Sequence, residues 1–179
     1  MKAFALDGHD AAGKTTLAQS LAEAIGARYV RPFGGDPGRR LIEAYQARRH
    51  GDVLAIGREA ILSQLQAAPA VALVLDRGWV TVATLVPRKL FVAEWDLWLP
   101  SALLWCDEAT TIRRLGARAD DENEPDDWHA HFLAAYLDRF GLRPGVVVRT
   151  DQQSETDSVA ELIRLFEAAP PFDMPRVAA

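Results

Sequence analysis

The sequence predicts a three-layer α/β fold, in which a five-stranded parallel sheet is covered by helices on both faces. Three observations lead to this prediction. Short apolar runs alternate with stretches of helical periodicity, each run is apolar along nearly its whole length, and the first run leads through a glycine-rich loop into a helix. Strands that are apolar throughout are buried on both sides, as parallel strands are. The predicted strands are residues 3–6, 29–30, 71–75, 102–106 and 146–148.

The stretches between these strands predict the helices. Asp52 is of a residue type that caps helix N-termini, and we expect it to cap the third helix. Residues 119–127 form an acidic stretch with almost no apolar side chain, which we expect to be mobile without ligand. We predict one domain over 1–168, with a lid at about 117–127, and a C-terminal tail over 169–179 that has no packing pattern. The predicted helices are residues 16–25, 39–49, 52–67, two short helices within 79–99, and then 109–115, 128–140 and 157–168.

Residues 8–15, Gly-His-Asp-Ala-Ala-Gly-Lys-Thr, match the phosphate-binding pattern G-x-x-x-x-G-K-[ST]. Gly8 and Gly13 permit backbone conformations that turn the N–H groups of the loop towards phosphate oxygens. Lys14 would reach the outer phosphates of ATP, and the Thr15 hydroxyl would ligate Mg²⁺. The alternative is a chance match in a turn rich in glycine and alanine, which the flanking strand and helix argue against. The predicted ATP-binding residues are Gly8, Ala11, Ala12, Gly13, Lys14, Thr15 and Thr16.

Charged residues follow the later strands. Asp76 ends the third apolar run, where phosphate-loop proteins carry a second Mg²⁺-binding acid, although an aspartate at a strand end often only caps a turn. Arg77 beside it is suited to binding a phosphate group. Arg114 and Arg118 lie around the end of a predicted helix and in the loop beyond it. Arginines on a lid could stabilise the transferring phosphoryl group; the alternative is a set of surface arginines paired with acidic residues 120–122.

These features together resemble the thymidylate kinase family, in an order of matches that runs from about residue 3 to residue 165. The resemblance implies a P-loop kinase fold, ATP and Mg²⁺ as cofactors, and an arginine-bearing lid. It also implies that Arg58 contacts the acceptor's phosphate. Asp10 matches the family's acid two positions after the first glycine and could hold an acceptor hydroxyl, with Asp36 as the alternative. The matching features are residues 5–16, Asp76 with Arg77, residues 57–59, and Arg114 with Arg118.

The chain departs from that family at the positions that contact the base. Where the family has Arg-Glu-Pro-Gly-Gly-Thr, this chain lacks the glutamate, and Asp36 is the nearest acid. Gly78 replaces the tyrosine of the family's Asp-Arg-Tyr, and residues 83–85 replace its Ala-Tyr-Gln. Trp79 or Phe33 could instead supply an aromatic face for a different base. The chain thus matches the family at the positions that bind phosphate but not at those that contact the base, and strict thymine specificity is not expected.

We therefore expect an ATP- and Mg²⁺-dependent kinase whose acceptor is a (deoxy)nucleoside monophosphate. A kinase for a neutral hydroxyl, on a deoxynucleoside or another small molecule, is the main alternative, and a nucleotide-binding module without catalysis is a further one. A GTPase should carry Asn-Lys-x-Asp, which the sequence lacks. The expected catalytic residues are Lys14, Asp10, Arg77, Arg114 and Arg118. The expected acceptor-binding residues are Asp10, Arg31, Phe33, Asp36, Arg58, Arg77 and Trp79, and the expected metal ligands are Thr15 and Asp76.

The composition narrows the range of partners. A formal net charge of −5 argues against non-specific nucleic-acid binding, which needs a basic surface. The single cysteine, Cys106, excludes an intramolecular disulfide and is expected to be a buried thiol. No apolar run approaches the roughly 18 residues of a membrane span, and no signal peptide opens the chain. We expect a cytoplasmic protein that binds neither nucleic acid nor membrane, and a homodimer is left open.

Overall fold

The computed structural model describes residues 1–68, 70–117 and 126–173. Its strands are β1 (Ala3–Asp7), β2 (Arg28–Val30), β3 (Leu73–Asp76), β4 (Ser101–Trp105) and β5 (Val146–Arg149). Its helices are α1 (Lys14–Ile25), α2 (Asp36–Gln46), α3 (His50–Ala67), α4 (Trp79–Thr84), α5 (Arg88–Glu94), α6 (Glu108–Gly116), α7 (Asp126–Phe140) and α8 (Glu155–Ala168). The strands form one sheet in the order β2-β3-β1-β4-β5, and every pairing is parallel.

Side chains on the two faces of β1 belong to two separate hydrophobic cores. Ala3 and Ala5 pack in the core that includes α3, α4 and α7, whereas Phe4 and Leu6 pack in the core that includes α1 and α8. Successive residues of a strand point to opposite faces of the sheet, so helices cover both faces. This confirms the predicted α/β fold. Because β1 is flanked by β3 and β4, the loop after β1 lies in the middle of the carboxyl edge, where open parallel sheets bind ligands.

Six helices (α1, α2, α3, α6, α7 and α8) begin one to three residues earlier than their sequence patterns indicate, and α2 and α3 differ at named residues. α2 begins at Asp36 because Pro37 lies in its first turn, where a missing N–H costs little. α3 begins at His50, so the prediction that Asp52 caps this helix is wrong. Asp52 lies in the first turn, and its carboxylate instead accepts a hydrogen bond of 2.7 Å from Arg49.

Two strands are shifted by one or two residues from the predicted runs. β3 begins at Leu73, because Val71 and Ala72 precede the sheet and Val71 is 45% exposed. β4 ends at Trp105, and Cys106 follows it directly. Cys106 is buried, as expected, with its Sγ 3.3 Å from the hydroxyl of a threonine in α6.

The chain beyond α8 packs against the domain. Phe172 is buried in the same core as α3 and α7, and its N–H donates a hydrogen bond of 2.8 Å to the Met1 carbonyl. The expectation that the tail has no packing is therefore wrong for its first residues. A single buried aromatic residue after two prolines leaves no periodicity that a sequence pattern could detect.

The predicted lid falls largely on residues that the structure does not describe. Residues 118–125, and Arg118 with them, lie outside the described ranges. The acidic stretch was predicted to extend to residue 127, but α7 already begins at Asp126. In the part of the chain that is described, none of the helices combines the length and the hydropathy that a membrane span requires.

Candidate active site

The loop between β1 and α1 has three backbone positions with positive φ. The φ angles of Gly8, Ala11 and Gly13 are 153°, 60° and 86°. A Cβ on Gly8 would lie 2.3 Å from the backbone oxygen of Leu104, so a side chain cannot be accommodated there. α1 begins at Lys14, and its first N–H groups therefore face the loop. This arrangement of backbone donors at a helix N-terminus is one that binds phosphate.

Lys14 is buried within this loop, with only 6% of its side chain exposed. Its Nζ donates a hydrogen bond of 2.6 Å to the His9 carbonyl and lies 3.7 Å from Asp10 Oδ1. Burial, together with the nearby Arg77 guanidinium, lowers the pKa of Lys14 to about 7. A phosphate group bound in the loop would favour the protonated form of this lysine.

Thr15 and Asp76, the two expected metal ligands, are in direct contact. Thr15 Oγ1 donates to Asp76 Oδ2 at 2.7 Å, and the Tyr29 hydroxyl donates to the same oxygen at 3.0 Å. Asp76 Oδ1 is buried and has no hydrogen-bond partner among the described residues. A hydroxyl and a carboxylate suit Mg²⁺, which in nucleotide sites takes few protein ligands and completes its shell with waters and phosphate oxygens. The residues present therefore fit this ion.

Arg77 and Asp10 form an ion pair beside Lys14. Arg77 Nη2 donates to Asp10 Oδ1 at 2.8 Å. Burial opposes ionisation of Asp10, but the Lys14 and Arg77 cations outweigh it and hold the pKa of this carboxyl well below its usual range. Arg77 itself has a φ of 78°, which is uncommon for a residue with a side chain. Such strain is often found at functional sites, where the surrounding structure holds it in place.

A cleft of about 460 Å³ opens beside this loop, which comprises residues 8–15 and is called the phosphate loop below. Its charged lining is Asp10, Arg31 and Arg77, and its aromatic lining is Phe33, Tyr45, Trp128, Phe132 and Tyr136. Arg31 also lies 3.7 Å from Oδ2 of Asp76, one of the two expected metal ligands. The structure thus brings Asp10, Arg31, Phe33 and Arg77 of the expected acceptor-binding set into one cavity.

Sequence reasoning missed the aromatic residues that α7 contributes to this cleft. Phe132 and Tyr136 have helical spacing and are buried, but the spacing alone indicates only a core-facing side of a helix. The signal that could have found them is the recurrence of an aromatic residue every four positions, at Trp128, Phe132 and Tyr136. These positions share one helix face, and that face is turned towards the cleft.

Trp79, predicted to offer an aromatic face to the acceptor, lies in the core instead. It is 1% exposed, and its indole N–H donates a hydrogen bond of 3.0 Å to the Leu99 carbonyl. Its ring packs against Phe91 and Trp98 at centroid distances of 6.2 and 5.0 Å. Trp79 thus packs against Phe91 of α5, and it is not among the residues that line the cleft.

Arg58 and Asp36 are not brought to the cleft either. Arg58 forms two hydrogen bonds with Asp96, at 2.8 and 3.0 Å, and both side chains are largely exposed. Asp36 is exposed at the start of α2 and pairs with Arg39. Both predicted acceptor residues therefore have carboxylate or guanidinium partners of their own on the surface.

Arg114 forms hydrogen bonds both with the phosphate loop and with the segment after β5. Its guanidinium donates to the Ala11 carbonyl at 3.0 Å, and to the Thr150 hydroxyl and carbonyl at 3.1 and 2.7 Å. One of these hydrogen bonds is made to the loop and two are made to Thr150. In this conformation Arg114 supports the shape of the loop.

Asp7, at the end of β1, organises the start of α4. It is fully buried, and burial raises the pKa of its carboxyl despite three hydrogen bonds to it. Asp7 Oδ1 accepts from the N–H groups of Gly78 and Thr81, at 2.8 and 3.0 Å, and from the Thr81 hydroxyl at 2.7 Å. These bonds fix the turn that carries Arg77 between β3 and α4.

Gly78 fits this turn because it has no side chain. A Cβ at this position would lie 2.6 Å from the Ala5 Cβ and 3.0 Å from Asp7 Oδ2. We expect Gly78→Ala to reduce the free energy of unfolding by about 1–3 kcal/mol, the usual cost of overpacking. Urea titration of the ligand-free protein measures this. Gly51→Ala is the matched control, because a Cβ there meets no atom within 4 Å and alanine favours a helix; equal stability of the two variants would contradict the steric argument.

No family model matches the chain, and no curated protein sequence matches it. Solved structures do match it in fold. Deoxyadenosine kinase from M. mycoides with bound dATP superimposes with a TM-score of 0.67 at 15% identity, covering 93% of this chain and 100% of that chain. The YorR protein of Bacillus subtilis, in complex with phosphorylated GDP, gives a TM-score of 0.61 at 14% identity, with 93% and 96% coverage.

Shikimate kinase from Bacteroides thetaiotaomicron is similar to the same degree. It has a TM-score of 0.61 at 16% identity, and the match covers 93% of this chain and 98% of that chain. At these identities the likeness shows the fold alone, the parallel α/β fold that this chain shares with these three structures. The phosphate loop and the cleft described above are the features of this chain that bear on its chemistry.

Proposed function

We propose that this protein is an ATP- and Mg²⁺-dependent phosphotransferase whose acceptor is a (deoxy)nucleoside monophosphate, as the resemblance to thymidylate kinases implies. One observation carries the proposal: a phosphate loop with its lysine and its Thr15–Asp76 pair borders a cleft that combines arginines with aromatic rings. Planar rings and arginines are the groups that bind a base and a phosphate.

On the donor side, the loop amides and Lys14 hold the phosphates of ATP. Thr15 and Asp76 hold Mg²⁺, which neutralises charge on the phosphates when bound. Tyr29 keeps Asp76 in place through its hydrogen bond to Oδ2. Arg114 supports the loop from outside, and Arg118 is proposed to act from the lid.

On the acceptor side, Arg31 and Arg77 bind the monophosphate. The base lies against the aromatic wall, which is the set of aromatic side chains that line the cleft (Phe33, Tyr45, Trp128, Phe132 and Tyr136). The lowered pKa of Asp10 makes its carboxylate a poor general base, since an effective base has a pKa near the working pH. A monophosphate acceptor is already ionised and needs no such base. Asp10 instead orients Arg77 and accepts a hydrogen bond from an acceptor hydroxyl.

A kinase for a neutral hydroxyl is the second candidate, and one observation favours it. Arg77 is already paired with Asp10, and Arg58 is paired with Asp96 outside the cleft. These pairs reduce the positive charge that a monophosphate would meet. Asp10 would then hold the acceptor hydroxyl directly.

A coupled assay of ADP release at fixed MgATP distinguishes the two candidates. The panel contains dTMP, the other (deoxy)nucleoside monophosphates and the matching nucleosides. We expect monophosphates to exceed their nucleosides at least about tenfold in kcat/KM, the worth of one charge-assisted hydrogen bond. Nucleosides that equal or exceed every monophosphate would favour the hydroxyl kinase. Binding of MgATP without turnover of any acceptor would favour a non-catalytic module.

The low pKa of Lys14 predicts proton uptake when the donor binds. Above pH 7 Lys14 is largely deprotonated in the free protein, and the phosphates of ATP bind its charged form. Close to one proton should be taken up per nucleotide at pH 8 and almost none at pH 6. Isothermal titration of MgATP in two buffers of different ionisation enthalpy gives this number, with Tris and HEPES at pH 8 and bis-Tris and MES at pH 6. Equal proton uptake at the two pH values would contradict the role of Lys14.

A further inference from the structure

Two buried histidines connect the phosphate loop to α7. His9 Nε2 lies 3.0 Å from His129 Nδ1, although 120 positions separate the residues. His9 is 3% exposed and His129 is 6% exposed. The proposed transfer assigns no role to either imidazole, and a buried polar pair at hydrogen-bond distance between a catalytic loop and a distant helix calls for one.

His9 lies against the aromatic wall of the cleft. Its ring is stacked on Phe132, with an interplanar angle of 7° and a centroid distance of 6.1 Å, and its centroid lies 5.4 Å from that of Trp128. Burial lowers the pKa of the His9 imidazole to about 4, so the ring is neutral near pH 7. A neutral imidazole has one N–H donor and one acceptor nitrogen, and the two rings can therefore share one proton in a single directional bond.

The backbone of His9 is held from the opposite side. Its carbonyl accepts the 2.6 Å hydrogen bond from Lys14 Nζ. A phosphate that attracts the Lys14 ammonium therefore changes the hydrogen bond between Lys14 Nζ and the His9 carbonyl. The side chain of that same residue is bonded to His129, on the helix that carries Trp128 and Phe132.

We propose that His9 and His129 are positioning residues that couple nucleotide binding in the phosphate loop to the aromatic wall of α7. The connection runs from Lys14 to the His9 backbone, and from the His9 side chain to His129. Coupling of this kind is reciprocal, so an acceptor seated against α7 strengthens donor binding in turn. The inference rests on the proposed function in one respect, namely that the loop binds MgATP.

Hydrogen exchange with and without nucleotide tests the coupling. The probe is Mg²⁺ with AMP-PNP, and amide exchange is followed in the loop, residues 8–15, and in α7. In the wild type we expect nucleotide to slow exchange in both segments, by about fivefold in α7, the low end of couplings between sites. In His129→Leu the loop should still be protected, and the nucleotide-dependent change in α7 should disappear.

Two further variants keep the test specific. His129→Asn places an amide near the position of Nδ1 and should restore the response of α7 in part. His131→Leu changes an exposed histidine on the same helix and should leave the response as in the wild type. If His129→Leu does not fold, the comparison of the wild type with His129→Asn still measures the response.

The outcomes separate this inference from the proposed function. Protection of the loop without a response of α7 in the wild type would overturn the inference and leave donor binding intact. A response of α7 that persists in His129→Leu would also overturn it. That is the result of a purely structural role, in which the substitution speeds exchange in α7 by the same factor with and without nucleotide. No protection of the loop itself would refute donor binding, and the coupling would fall with it.

Discussion

Replacing Lys14 by methionine is expected to abolish phosphoryl transfer and, at the same time, to stabilise the ligand-free protein. The side chain is buried with its ammonium group, and methionine keeps much of its length without the charge. Loss of one such contact to the transferring group should lower kcat at least about 100-fold. Asp10 keeps Arg77 as a partner in the variant, so no carboxylate is left unpaired.

The stability gain should depend on pH in a defined direction. Burial lowers the pKa of Lys14 from its ordinary value of 10.5 to about 7. Between these values the unfolded chain binds more protons than the folded one, so the cost of Lys14 is largest below pH 7 and fades as the pH rises towards 10.5. At pH 6 we expect a gain of at least about 1 kcal/mol, or roughly 2–4 °C in Tm.

Thermal unfolding of the wild type and Lys14→Met at pH 6 and pH 9 measures this dependence. The gain in Tm should be smaller at pH 9. A variant that retains more than about a tenth of the wild-type kcat would contradict the catalytic role. A variant that is less stable than the wild type at pH 6 would contradict the energetic argument.

Asp76→Asn is expected to raise the Mg²⁺ concentration needed for half-maximal activity at least about tenfold. The amide oxygen can still accept the hydrogen bonds from Thr15 and Tyr29, so the local fold should persist. The negative charge is lost, however, and an uncharged amide binds a hard cation less well. A Mg²⁺ titration at saturating ATP measures the change.

Asp96→Asn is the matched control for this substitution. Asp96 is paired with Arg58 outside the cleft and should not affect the Mg²⁺ requirement. If Asp76→Asn and Asp96→Asn both titrate like the wild type, Asp76 holds no metal and only closes the turn after β3. That was the alternative interpretation of an aspartate at a strand end.

The fold could be predicted because its signals are local. Each strand except β2 contains an apolar run, and each long helix has a periodic apolar face, so the order of elements indicates a parallel sheet. The errors lie at the boundaries. α2 begins before the predicted residue 39 because Pro37 occupies its first turn, and Phe172 packs alone after two prolines.

The candidate site was predictable only where sequence proximity determines geometry. The loop of residues 8–15 carries its own helix and strand, and the contact between Thr15 and Asp76 follows from the edge at which parallel strands end. Arg58 was assigned by resemblance, but it pairs with Asp96 on the surface. Trp79 was suggested as an aromatic residue next to positions where the chain departs from the family, but it packs against α5 in the core. Which face of a helix meets a distant cleft depends on tertiary packing, which no local pattern contains.

The central position of β1 in the sheet has a consequence for how the chain folds while it is being translated. Ala3 pairs with Leu73 and Ala5 with Ser101, so the first strand to be translated pairs only with strands that are translated much later. At about 5–20 residues per second, the emerging chain carries this apolar segment without its partners for several seconds. Non-local pairing of this kind also makes folding slow. Soluble yield in cells should therefore respond to chaperone supply, and variants such as Gly78→Ala, which hinder the packing of β1 against its neighbours, should lower that yield by more than their equilibrium stability indicates.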